Sequence, residues 1–458
     1  MKKSALLTLG LFLLLTVQAQ VQVRPLPEPG YDLRIRDFVN NTKVVDTHEH
    51  LGSPAGFRNS GKLDFMMLLF HYADDDIKSA GMSKQGFQKL LTDSLTVMEK
   101  WMAIKPYWEG SSNTAYNRAA LLTADKLFGI KNIDETTVVE LSDKIRKAYQ
   151  TDWYNYVLKE KCNIEYVVND SEDRSFGDPK MFRYVKRFGE FFFAVTQKKI
   201  EAISKQQDYE IKTLDDFVSA LAIAFHKAMD NDFVAVKVGI AYERSLLFED
   251  VSKEKAKEVF NKIMALPKND GLQYNGSEIK PLQDYMMHRL LDLARATNTP
   301  VEFHTGLQSG DGNKIENANP ALLANLFLKY RTVKFILFHG GYPFGGELST
   351  LAKNFRNVYL DMCWLYIISP SYSERYLHEW LETVPANKIM AFGGDFLNVE
   401  GVYGHLLFAR QVVANVLIEK VKDGYFSENE ALKIAQMILH DNAIQLLKLD
   451  QQVPLMKK

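Results

Sequence analysis

Short apolar runs alternate along this chain with longer stretches of helical period, and that alternation carries most of the information about its fold. The first run is a strand at 43–48. A long segment without clear strands follows, roughly 53–160. Within it Lys62–His71, Gln85–Trp101 and Ala115–Phe128 repeat with helical period, and Gly129 stands where a helix C-cap is expected. This segment is too long for one barrel connection and reads as a helical insertion that caps the fold. From Ile164 onward strand and helix signals take turns. Strands are expected at Ile164–Asn169, Arg183–Ala194, Phe233–Ile240, Val301–His304, Lys334–His339, Asn357–Cys363 and Lys388–Gly393. A helix opens at Thr213 with a capping box to Asp216 and runs to Met229. Further helices are expected near 252–265, 281–297, 320–330, 346–354, 372–383, 402–422 and 427–448. Strands separated by helices lie parallel, and eight of them predict a closed (β/α)8 TIM barrel with a helical insertion after the first strand. The barrel domain then spans 43–450, behind an irregular lead-in at 20–42 that carries Pro25, Pro27 and Pro29.

Composition adds limits. With 458 residues, 46% hydrophobic and 25% charged, the chain is ordinary globular protein, long enough for one large barrel with an insertion or for two or three smaller domains. A net charge of −1 gives no basic excess for nucleic acid and no acidic tail. The start is distinctive: Met1-Lys2-Lys3, an apolar stretch from Leu6 to Val17, then the small-residue site Val17-Gln18-Ala19. The stretch is short for a membrane span, so residues 1–19 are expected to be a signal peptide and the protein to be exported, periplasmic or secreted. No Cys follows the cleavage site and no second segment reads as a span, so no stable membrane anchor is expected. Cys162 and Cys363 both fall at apolar strand patterns, which suits buried thiols as well as one disulfide.

The candidate chemistry sits at strand ends. Side chains alternate along a strand, so His48 and His50 point the same way, about 7 Å apart along the backbone, with Asp46 below them. They are either two unrelated histidines on a polar strand end or a grip on one divalent cation. In a TIM barrel the active site lies at the C-terminal ends of the strands. There the fifth strand ends in His304, the sixth in His339 and the eighth in Asp395, each beside a glycine turn. Four histidines and an aspartate due at one rim are hard to explain without a metal. On the fourth strand Lys237 faces the interior, where a buried ammonium needs a partner. Glu302, inward on the next strand, is the expected one, or else Lys237 contacts the substrate, and the site then holds a single ion.

Together these motifs resemble the amidohydrolase superfamily, in particular the amidohydrolase-related branch that also contains decarboxylases. The residues are His48-Glu49-His50, His304 in Phe-His-Thr-Gly, His339 in Phe-His-Gly-Gly-Tyr-Pro, Asp395 in Gly-Gly-Asp, and the closing His440-Asp441-Asn442-Ala443. The resemblance implies that His48, His50 and Asp395 bind the metal with His304 as a fourth ligand. It implies that His339 polarises the substrate or orients water, and that Asp395 also accepts the water's proton. Zn²⁺ suits such an imidazole and carboxylate set, as Mn²⁺, Fe²⁺ or Ni²⁺ also can. Some superfamily members carry at the Lys237 position a carbamate that bridges two metals.

A second, partial resemblance is to uronate isomerases of the same superfamily. It rests on Tyr403-Gly404-His405-Leu406-Leu407-Phe408-Ala409-Arg410, on Trp364 and on the Asn113–Gly129 helix. Those enzymes use a His and an Arg in such a helix near the sugar acid, which would make His405 and Arg410, with Trp364, substrate contacts. Tyr342, Gln308 and Asp311, in loops after His339 and His304, are further candidates for the pocket wall. His71, His226, His288, His378 and His440 fall in helical stretches and are expected to have no catalytic part. The leading expectation is a metal-dependent hydrolase acting on a small amide, ester or lactone. Sugar-acid isomerisation, non-oxidative decarboxylation and a non-enzymatic metal-binding role are the alternatives. The partner is a small-molecule substrate, and since barrels of this kind often pair, a homo-oligomer is also expected.

Overall fold

Strands built from Val, Ile and Phe and buried on both faces need helices over their outer surface, and a parallel ring supplies that. The computed structural model describes residues 28–451 apart from 61, 62, 92, 93 and 172. Its strands are β1 (Val44–Glu49), β2 (Ile164–Asn169), β3 (Phe182–Arg187), β4 (Phe233–Val238), β5 (Val301–Phe303), β6 (Phe335–Leu337), β7 (Val358–Asp361) and β8 (Ile389–Met390). They pair in sequence order, each parallel to the next. The chain after β8 closes the ring on β1: Thr47 N–H donates to Phe392 O at 3.1 Å, Asp395 N–H to His48 O at 2.8 Å and His50 N–H to Phe396 O at 3.0 Å. The result is a (β/α)8 barrel.

Between β1 and β2 the described chain is helical. Val97–Ser111 opens with a Thr96–Glu99 capping box, and Ala115–Phe128 ends at Gly129 in the left-handed region, φ 69°. The latter helix lies on Val399–Lys422, the helix that follows β8. The two backbones meet closely at Gly404, where a Cβ would stand 2.2 Å from Thr123 Oγ1 and 2.7 Å from Ala119 O.

Several expectations change. The lead-in is not irregular throughout: Tyr31–Asn41 is a helix whose Ile35 and Val39, one turn apart, are buried against Val399–Lys422. The prolines end at Pro29, just before it. The third strand stops at Arg187, because Gly189–Phe192 turns into a short helix that buries Phe191 and Phe192. Val399–Lys422 is long and apolar enough by composition to cross a membrane, unlike the sequence expectation, but its apolar side chains pack inside the fold. Both cysteines are free buried thiols. The expected signal peptide, 1–19, lies outside the described residues.

Candidate metal centre

β1 is buried along its whole length, and its alternation sends Asp46, His48 and then His50 toward the C-terminal mouth of the barrel. Glu49, between the histidines, points the other way and works on the β8 loop. Its Oε2 accepts from Phe396 N–H at 2.7 Å, while Asp46 Oδ1 accepts from Gly394 N–H at 3.0 Å. Two carboxylates of β1 thus hold the turn that carries Asp395. The turn needs glycine there: a Cβ on Gly394 would lie 1.9 Å from Glu49 Oε1. Asp395 itself has φ +62°, and His339 (+68°) and Trp364 (+65°), beyond the ends of β6 and β7, share this costly conformation. Non-glycine backbone held at positive φ on this rim is characteristic of sites held in place by their surroundings.

The outcome is a three-donor cluster. His48 Nε2 lies 3.5 Å and His50 Nε2 3.2 Å from Asp395 Oδ1, and one ligand atom from each residue falls within 4.8 Å of the others. On the far side His339 Nδ1 lies 3.6 Å from Asp395 Oδ2, and neither ring nitrogen of His339 has a hydrogen-bond partner. Burial, aided by the Lys237 charge, holds the His48 imidazole well below its usual pKa. Burial likewise takes His339 down to about 3. Burial alone would raise the Asp395 carboxyl, but the facing His48, His50 and His339 outweigh it and hold it well below the usual carboxylate range. Neutral imidazoles and an ionised carboxylate are the protonation states that bind a cation. Two imidazoles and a carboxylate at this spacing fit a divalent metal, with open positions left for water or substrate.

His304 lines the same cavity, its ring 4.2 Å from that of His339, but does not join the three-donor cluster. Its Nε2 is engaged by Leu307 O at 2.8 Å. Lys237 also lines the cavity and is in register with Glu302, yet the expected ion pair is not formed. Lys237 Nζ sits 3.7 Å over the Phe338 ring without a hydrogen-bond partner, and both Glu302 oxygens are unpartnered. Adjacent residues on parallel strands share a level, but side-chain direction above it decides whether their ends meet.

The cavity above the cluster has a volume of about 520 Å³. Two of its wall residues escaped the sequence reading. Arg187, at the end of β3, reaches it from an ion pair with Asp170, which follows β2 (Nε–Oδ2 2.7 Å). Asking what ends β2 and β3, as was asked of the other strands, would have found both. His71 enters from the insertion, 6.4 Å ring to ring from His50, with φ 102° and Nδ1 unpartnered. It sits in a turn rather than a helix, and no local signal marks it.

Four expected contacts stand elsewhere. Arg410 is at the opposite end of the barrel. Its guanidinium donates to Val39 O, to Thr42 O at 3.0 Å and to Cys162 O at 3.0 Å, just before β1 and β2 begin. His405 is buried behind the β8 loop, Nδ1 on Gly394 O at 3.0 Å, among Phe392, Phe396 and Tyr366. Trp364 is stacked on Tyr72 at 4.7 Å, with His339 at 5.4 Å, and backs the site without lining the cavity. Tyr342 packs on Tyr372 outside the cavity. Of the loop candidates, Gln308 is buried with Nε2 on Ala241 O, and Asp311 is exposed.

An eight-stranded parallel barrel with histidines and an aspartate gathered at its C-terminal mouth defines a metal-site TIM-barrel fold of the enzyme kind. A sequence profile of the amidohydrolase family matches residues 215–449, and the chain belongs to that family. Protein fluG of Emericella nidulans is 33% identical over 184 residues, which are 39% of this chain and 21% of that protein, so the chain spans about a fifth of that relative's length. Among solved structures, a uronate isomerase from Thermotoga maritima matches at TM-score 0.75 and 18% identity, over 91% of this chain and 97% of its own. A glucuronate isomerase from Caulobacter crescentus gives 0.72 and 18%, over 94% and 97%. A metal-dependent hydrolase from Lactobacillus casei gives 0.63 and 17%, over 92% and 99%. At these identities the structural likeness speaks for the fold alone.

Proposed function

We propose that this protein is a metal-dependent hydrolase whose divalent ion, Zn²⁺ by preference, is held by His48, His50 and Asp395 and whose substrate is a small amide, ester or lactone. The observation that carries the reading is the convergence of these three donors, with His48 held neutral and Asp395 ionised, on the floor of an open cavity. A bound divalent ion supplies a nucleophilic water at neutral pH and polarises the scissile carbonyl.

The chain's own residues do the rest. Asp395 uses Oδ1 toward the imidazoles, which leaves Oδ2 to take the proton of the attacking water and pass it to the leaving group. His339 faces that oxygen with two unpartnered nitrogens and donates to the substrate's carbonyl oxygen as charge develops there. Arg187 and Lys237, on the cavity wall, hold a negatively charged part of the substrate. Water adds to the acyl carbon, the bond to nitrogen or oxygen breaks, and the leaving group departs with the transferred proton. Replacing Asp395→Asn is expected to abolish turnover and leave a folded chain; retained turnover would overturn the assignment.

A second reading is aldose–ketose isomerisation of a sugar acid, favoured by the two basic side chains on the cavity wall, which suit a substrate carboxylate. Against it, His405 and Arg410, which suggested it, do not face the cavity. Product analysis separates the readings. Hydrolysis incorporates ¹⁸O from water, isomerisation conserves mass, and decarboxylation, which the same cage could also support, releases CO₂.

A further inference from the structure

A second cavity, of about 460 Å³, opens beside the one above the metal cluster and shares Tyr242 and Glu243 with its wall. The partition between them is thin. After β4 the chain makes a single turn, Ile240–Tyr242, which lays the Tyr242 ring 4.7 Å from that of His304, and the Tyr242 hydroxyl accepts from Ser309 N–H at 3.3 Å. The far side is held by buried groups. Arg244, 6% exposed, donates to Asp284 Oδ1 at 2.7 Å and to Gln283 Oε1 at 3.2 Å. Gln283 in turn donates to Tyr274 O at 2.8 Å and to Phe192 O at 3.1 Å. The loop that brings Asn275 and Ser277 to the second cavity is thereby tied to a residue that lines the first.

The charges around this second cavity cancel. Arg244 and Lys280 are met by Asp284 and Glu249. Lys314 and Glu243, one of each sign, have no ion pair among the described residues. A carboxylate or phosphate would therefore find no net positive charge here. What remains is neutral: the side chains of Asn275, Ser277 and Asn317 have no hydrogen-bond partner among the described residues, and each can both donate and accept. Tyr242, on the wall, and Tyr274, next to Asn275, are 38% and 43% exposed. Tyr274 rests edge-on against Phe193 of the metal cavity at 6.1 Å. Exposed tyrosine rings offer an apolar face with a polar tip, which matches the C–H and O–H groups of a polyol.

We propose that this cavity binds an uncharged, polyhydroxylated part of the substrate, remote from the bond that reacts over the metal cluster. The substrate is then bipartite. Its charged end lies at Arg187 and Lys237, its ester or amide over His48, His50 and Asp395, and its polyol end beyond Tyr242 and Glu243. Binding sites enclose most of a ligand's surface, and a substrate confined to the first cavity would leave the adjoining amides and hydroxyl without a partner. The distal site deepens the hydrolase reading and rests on it for the reacting end of the substrate.

Binding and turnover test this separately, on the full chain loaded with Zn²⁺. In ligand-observed NMR titrations methyl β-D-glucopyranoside should bind the wild type in the millimolar range, more tightly than N-acetylglycinamide. The double variant Asn275→Ala/Asn317→Ala should weaken that binding at least about fivefold, the worth of one ordinary hydrogen bond. Ser277→Trp, which fills the cleft from an exposed loop, should abolish it. In turnover, the monosuccinate ester of the same glycoside should be preferred to monoethyl succinate by about tenfold or more in kcat/KM, and both variants should lose the preference. Circular dichroism melting and zinc content like those of the wild type show that the cleft, not the fold or the ion, was changed. No glycoside binding, tighter binding of the amide, or binding that neither variant weakens overturns the distal site. Hydrolysis of monoethyl succinate without glycoside binding overturns the distal site and leaves the hydrolase reading standing. Glycoside binding that the variants remove, with neither ester hydrolysed, supports the distal site and overturns the hydrolase reading.

Discussion

Arg410→Ala separates a substrate contact from a structural clamp. The guanidinium is 5% exposed and spans three backbone carbonyls, Val39 O, Thr42 O and Cys162 O, so it ties the turn after helix Tyr31–Asn41 to the entries of β1 and β2. Burial lowers its pKa to about 10, so it remains charged at neutral pH and its hydrogen bonds are charge-assisted. Truncation leaves three carbonyls in a space without donors, at about 1–3 kcal/mol each. The three share one side chain and are not independent, and removing a buried cation returns part of its desolvation cost, so the net loss should be about 3–5 kcal/mol. Arg410→Lys, with a point charge in place of the planar fork, should lose about half as much. Urea unfolding followed by tryptophan fluorescence measures both. Metal content of the folded variants and, once a substrate is in hand, kcat/KM should match the wild type. An unfolding midpoint within about 0.5 kcal/mol of wild type, together with lost ion or lost turnover, would refute the clamp and return Arg410 to the substrate.

Two further outcomes follow from packing and from charge. Gly404→Ala drives a Cβ into Thr123 Oγ1 and the carbonyl of Ala119 at the contact between the insertion and Val399–Lys422, and should cost about 1–3 kcal/mol by thermal melting; an unchanged melt would mean that the two helices separate freely. Glu400, fully buried with Trp153 Nε1 at 2.8 Å and Tyr149 OH at 3.1 Å as donors, is raised by burial from 4.5 to about 6. Between those values the folded state holds a proton that the unfolded state has lost, so this group's contribution to stability falls as pH rises from about 4.5 to 6 and stays lower above. Glu400→Gln keeps an acceptor oxygen for Trp153 and presents an NH2 from which the Tyr149 hydroxyl can accept after rotating, so relative to wild type it should gain up to about 2 kcal/mol above pH 6 and nothing near pH 4.5; a difference that does not change with pH would contradict this.

The metal candidates could be read early because their signal is local. His48, His50, His304, His339 and Asp395 each end an apolar run beside a glycine turn, and in a parallel barrel that position determines the face they reach. Arg410 shows the limit. It stands about three turns into Val399–Lys422, and helical position alone does not say which neighbour its side chain will meet. His71 shows another: it reaches the cavity only because the insertion folds back over the barrel mouth, a contact between residues far from any strand.

By itself the sequence determined the order of strands and helices, the caps at Thr213 and Gly129, and the strand ends where charged and metal-binding side chains could collect, because periodicity and turn chemistry are properties of neighbours in the chain. Tertiary structure alone decided which of them meet. It split Asp395 between two sets of donors, left Lys237 and Glu302 in register but apart, brought Arg187 and His71 to the cavity wall and sent Arg410 to the far end. Those outcomes depend on barrel closure, strand register and side-chain direction, which arise between segments distant in sequence and leave no mark within any one of them.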